Sequence, residues 1–81
     1  MNIGRYLKIK REEKELSARA VAKKAGISDA HVSHIEHNRR NPTFDVMMKI
    51  LKALDVDVKE FLVETGYTTR GQNKKIDKGQ V

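Results

Sequence analysis

The chain has 81 residues, 38% of them apolar and 35% charged, with 17 Lys and Arg against 11 Asp and Glu for a formal net charge of +6. That length holds one small core and excludes two independent domains, and the lack of cysteine excludes a disulfide frame or a thiolate zinc site. The opening MNIGRYLKIKREEKE has no apolar signal core and nowhere do about 18 apolar residues run together, so a cytoplasmic protein without membrane attachment is expected.

Asn2 is placed to cap a first helix with Ile3, Leu7 and the stem of Lys10 or Arg11 on one stripe, ending near Glu15. Ser17 caps a second helix, and Leu16 before the cap can staple to Val21. The same grammar returns at once, with Ser28 as the cap of a third helix and Ile27 facing Val32. Gly26 between them can take the left-handed conformation that ends the second helix and turns the chain sharply. The result is a helix, a turn of three or four residues and a helix. Pro42-Thr43 opens a fourth helix, capped by Thr43, whose apolar stripe is Phe44, Met47, Ile50, Leu51 and Leu54. Asp57-Val58-Lys59-Glu60 reads as a capping box for a short fifth helix, with Val56 stapled to Phe61, that stops before Gly66. No run of alternating β-branched residues is long enough for a strand, so the class is all-α.

The folded domain is expected to span residues 1–66. Residues 65 to 81 hold 4 basic and 1 acidic side chains, the densest basic segment, and a tail over 67–81 is either disordered, a basic arm that follows phosphates, or a segment ordered only in an oligomer.

Steps of about 100° along the third helix put Val32 and Ile35 on its inner side and Ala30, Ser33, His34 and His37 opposite them. His31 and Asp29 fall on the flanks, and Glu36 at the edge of the buried stripe. The outer face is short, weakly basic and able to donate and accept hydrogen bonds. Such a face suits base edges in a major groove, where a row of lysines would hold phosphates without discriminating sequence. Asn38-Arg39-Arg40-Asn41 follows, a polar loop whose guanidinium groups can hold phosphate oxygens with two donors each.

The pattern Leu16-Ser17, Val21-Ala22, Gly26-Ile27-Ser28, Val32-Ser33-His34-Ile35-Glu36, Asn38, Pro42, Ile50, Leu54, Val58 and Leu62 resembles the phage repressor and Cro-like helix-turn-helix regulators, over about Ile3 to Tyr67. The resemblance implies a compact five-helix DNA-binding domain that binds two-fold symmetric operators as a homodimer. It implies base readout at Asp29, Ala30, Ser33 and His34, and phosphate contacts near Ser17, Ala18, His37, Asn38 and Arg39, to which the basic loop itself adds Arg40. It also implies that Arg11 reaches Glu36 as a structural ion pair. Two positions depart from the family pattern: Ala18 stands where glutamine is frequent after the second cap, and Asp29 where a neutral polar residue often opens the third helix. A carboxylate at Asp29 either accepts from cytosine N4 or simply complements the helix dipole.

His31, His34 and His37 recur every three residues, a spacing that drifts around the helix by about 60° per step, so three would fan out and no metal site is expected. No cofactor is expected either, and Ser17, Ser28 and Ser33 are better used as caps and an exposed face than as nucleophiles, which argues against an enzyme. Met1, Met47 and Met48 read as ordinary core use. Phe61, Val63 and Tyr67 fit a dimer seam or a satellite core equally well. The leading expectation is a sequence-specific DNA-binding transcriptional regulator acting as a repressor, with double-stranded DNA as partner. The competing one is an antitoxin-type protein that binds a protein partner and uses DNA for autoregulation. A restriction-modification controller or a phage switch differs from the first in circuit rather than in physics.

Overall fold

Each of the five helices in the described residues starts one position after a polar side chain that takes up a stray backbone N–H. The computed structural model describes residues 1–67, so the tail expected over 67–81 lies outside the described residues except for Tyr67. Helix α1 is Ile3–Glu13, α2 Ala18–Ala25, α3 Asp29–Glu36, α4 Phe44–Leu54 and α5 Val58–Thr65. Asn2, Ser17, Ser28, Thr43 and Asp57 accept from the N–H three residues on, at 2.8, 3.0, 3.0, 3.2 and 3.3 Å.

The helix ends are as local as the starts. Gly26, Asp55 and Gly66 take left-handed φ of 75°, 57° and 71°. Glu15 does so just past α1, at 56°, and Leu16 N–H then returns to the Arg11 carbonyl at 3.0 Å. This is a Schellman closure, and it stops α1 at Glu13 rather than near Glu15.

The helices pack with α2 against both α3 and α4, and with α1 joining α3 to α5. Between them lie Tyr6, Leu7, Val21, Val32, Ile35, Met47, Ile50, Leu51, Leu54 and Phe61, all essentially inaccessible to solvent. Burial of a side chain of this size contributes about 1.5–3 kcal/mol by transfer from water, so this set is the main source of cohesion.

The core corrects two expectations and bears on the two readings given for Phe61. Phe44 is 52% exposed, because it occupies the first turn of α4, outside the layer that covers the rest of its stripe. Met1 is likewise exposed, whereas Met47 is buried in the core and Met48, partly buried, packs against it as expected. Phe61 is buried, with its ring edge-on to Tyr6 at a centroid distance of 5.4 Å and tilted against Tyr67 at 5.9 Å, which leaves it no surface to offer a second copy.

The capping box of α5 is only half formed. Asp57 caps Glu60 N–H, but the Glu60 carboxylate turns to α1, where it accepts from the Tyr6 hydroxyl at 3.2 Å and pairs with Lys10 Nζ at 2.9 Å. The contacts with Lys10 and Tyr6 hold the Glu60 carboxyl below its ordinary range. Burial, then the bond to Glu60, pushes the Tyr6 phenol up to about 12. The carboxylate's contribution is therefore present at neutral pH and fades as pH falls through the lowered Glu60 value.

Gly4 is buried in the first turn of α1. A Cβ there would run into the carbonyl oxygens of Ile35 and Glu36 and the side-chain oxygen of Asn38, so the glycine lets α1 touch the end of α3. Gly4→Ala gains roughly 1 kcal/mol of helix propensity but forces backbone atoms apart, where overpacking costs about 1–3 kcal/mol. A lower urea midpoint is expected, and an unchanged or higher one would show that the two helices part easily.

Candidate nucleic-acid interface

The second and third helices are joined by a turn that closes locally. Gly26 N–H reaches the Lys23 carbonyl at 3.3 Å and Ile27 N–H the Ala22 carbonyl at 3.0 Å, while Ser28 immediately caps α3. Val32 and Ile35 hold the inner side of α3 in the core. The opposite side therefore faces away from the core.

Asp29, Ala30 and His34 are exposed on α3, and Ser33 and His31 are partly covered. His37, at the C-cap, is exposed, and its Nδ1–H donates to the Ser33 carbonyl at 2.8 Å. That bond fixes the ring against the last turn and uses one of its two nitrogens. Asn38 then takes φ of 58°, and Arg39 N–H folds back onto the His34 carbonyl at 2.8 Å. The chain leaves α3 through this turn with Arg39 and Arg40 both exposed. Arg40 comes back along α3 and lines a shallow surface depression with Ser28, Ala30, His31 and His34.

Behind this face, Arg11 grips Glu36 with two donors, Nε to Oε2 at 2.7 Å and Nη2 to Oε1 at 3.0 Å. Its Nη1 donates to the Leu16 carbonyl at 2.8 Å. The fork-on-fork geometry ties α1, the end of α3 and the approach to α2 through one side chain, and the bond to Glu36 raises the Arg11 guanidinium above its ordinary value. At the other end of the motif Ser17 Oγ accepts from Ala20 N–H, and its hydroxyl proton stays available as a donor. Ala18 follows, partly buried. Among the described residues no group of three or more His, Asp or Glu is disposed to hold a metal ion, and no helix is long and apolar enough to cross a membrane.

The pattern of the helix-turn-helix family matches residues 7–61. The chain belongs to the Cro/C1-type helix-turn-helix family. Its α2 and α3 are therefore the motif that names the family. The chain is 38% identical over 63 residues to the HTH-type transcriptional regulator SinR of Bacillus subtilis, covering 76% of this chain and 57% of that one. It is 30% identical over 64 residues to the immunity repressor of Bacillus phage phi105, covering 79% and 44%. Among solved structures, a point mutant of the restriction-modification controller protein C.Esp1396I superposes with a TM-score of 0.72 at 30% identity, covering 75% of this chain and 79% of the other. The chain spans about half the length of these curated relatives, 57% and 44%.

Two features of this helix-turn-helix domain escape a reading by periodicity. Gly4 carries no hydrophobic signal, although a glycine inside a helical pattern is itself a sign of close backbone approach. Arg40 belongs to the loop after α3 in sequence but lies beside the first turn of α3 in space, which no local pattern encodes.

Proposed function

We propose that this chain is a sequence-specific DNA-binding transcriptional regulator without catalytic activity, a repressor by occupancy, that binds a palindromic operator as a dimer with α3 in the major groove. The observation that carries this reading is the outer face of α3. It is short, hydrogen-bonding and set on a packed inner side, with Arg39 exposed in the loop after it and Arg40 exposed alongside its first turn. Asp29, Ala30, Ser33 and His34 are the proposed base readers. Ser17, Ala18, His37, Asn38, Arg39 and Arg40 are the proposed phosphate contacts, with backbone N–H groups supplying what Ala18 lacks in a side chain. The dimer seam is proposed on the solvent side of α5, where Val63 is 74% exposed and Leu62 stands beside it, near Tyr67. The transcriptional regulator and the phage repressor among its relatives support the same reading.

Selection from a random duplex pool at physiological salt is the direct test. A palindrome with half-sites about one helical turn, roughly 34 Å, apart is the expected product. Recovery of no motif, with affinity that merely follows salt concentration, would overturn sequence-specific binding. With the operator in hand, His34→Ala is expected to relax preference at one position by about 1–3 kcal/mol while affinity for a mixed-sequence duplex is kept. An equal loss on both duplexes would remove His34 from the base readers.

A further inference from the structure

Beyond the motif itself, α1 carries two cations that neither the core nor any ion pair among the described residues uses. Gly4 fixes which side of α1 faces α3, since a Cβ on it would meet the Ile35 and Glu36 carbonyls. Arg11 confirms the direction, being seven residues on and paired with Glu36. From Gly4, helical geometry places Lys8 about 40° and Arg5 about 100° toward solvent. Tyr6 and Lys10 lie on the other side, against α5. Lys8 and Arg5 are both exposed, and among the described residues neither forms a salt bridge, whereas Lys10 pairs with Glu13 and Glu60 and Lys49 with Asp45.

The placement gives α3 a polarity. Its first turn carries the Asp29 carboxylate. Toward its end lie Arg39 from the loop and Lys8 and Arg5 from α1, three exposed cations with no salt bridge among the described residues, while Arg40 folds back beside the first turn. Glu12 lies on the same outward side of α1, one turn beyond Lys8, and its carboxylate repels phosphate. The basic track therefore stops at Lys8.

We propose that Arg5 and Lys8 form a second phosphate-binding ridge that continues the Arg39-Arg40 loop onto α1, gripping the DNA strand that passes the end of α3. This inference rests on the DNA-binding reading above, and it adds α1 to the contact surface. Gly4 sets the height of the ridge, because any side chain there would lift α1 away from α3. Since phosphates carry no sequence information directly, the ridge acts equally on every duplex.

The test compares Arg5→Gln/Lys8→Gln with Lys52→Gln/Lys59→Gln, which removes the same charge from exposed positions on α4 and α5. Affinity is measured for the selected operator and for a mixed-sequence duplex of equal length, each over a range of salt. The ridge variant is expected to weaken both duplexes by the same factor and to lower the salt slope by roughly two, about 0.9 for each phosphate that is no longer neutralised. The control variant is expected to keep the wild-type slope. A ridge variant that melts like wild type and keeps its slope would overturn the ridge. So would equal slope reductions in both variants, which would reduce the effect to net charge. Failure of the wild type to bind either duplex would instead overturn the DNA-binding reading on which the ridge stands.

Discussion

Arg11→Met is expected to destabilise the fold by about 3 to 5 kcal/mol, a large part of the roughly 4–12 kcal/mol available to a chain of this size. The Glu36 side chain is only 5% exposed and that of Arg11 14%, so removing the guanidinium strands a carboxylate that water cannot reach. The loss also frees the Leu16 carbonyl, which Arg11 Nη1 otherwise satisfies. Urea unfolding read by far-ultraviolet dichroism gives the size of the effect, and a drop under about 1 kcal/mol would mean that Glu36 finds water in place of its partner. Replacing both members, as Arg11→Met/Glu36→Leu, is expected to recover most of the loss. Paired buried charges stabilise little over an apolar pair of similar volume, while a single one left behind is costly.

Phe61→Ala comes next, also at about 3–5 kcal/mol. The ring fills the space between α1 and α5, and its edge-to-face contact with Tyr6 adds roughly 0.5–1.5 kcal/mol beyond area alone. It is the buried residue of α5, so truncation acts on the attachment of a whole element. The expected signature is a fall in the urea midpoint together with a smaller m-value, as α5 leaves its site before the rest unfolds. An unchanged m-value would mean that α5 stays docked through the Tyr6, Lys10 and Glu60 contacts and that the loss is a cavity only.

The parts of this protein that were legible in its sequence are those written locally. Ser17, Ser28 and Thr43 announce their helices within four residues, and Gly26 its turn, because capping and left-handed geometry are properties of a short segment. The inner side of α3 follows from spacing alone. Glu60 could not be read the same way. Its position in a capping box is a local signal, yet Lys10 and Tyr6, fifty or more residues earlier, supply better partners for its carboxylate. Phe44 satisfies the period of α4 but not the extent of the core, which is set by where the other helices end. For the interface, the residue types were visible while their neighbours were not: Arg40 beside Ala30 and His34, and the N-terminal turn of α1 beside the end of α3, are products of packing.

The outer face of α3, proposed above to read bases, has a further property that comes from how its helix is held. Ser28 starts the helix, Val32 and Ile35 seat it, Glu36 anchors it, and Asn38 turns the chain away. Ala30 and His34 do none of these things, and substitutions at such exposed positions usually change stability by no more than about 0.5 kcal/mol. If that face reads bases as proposed, variation there explores new operators without passing through unfolded intermediates, one point mutation at a time. A duplicated copy of this chain could drift to a different binding site while its scaffold stayed the same.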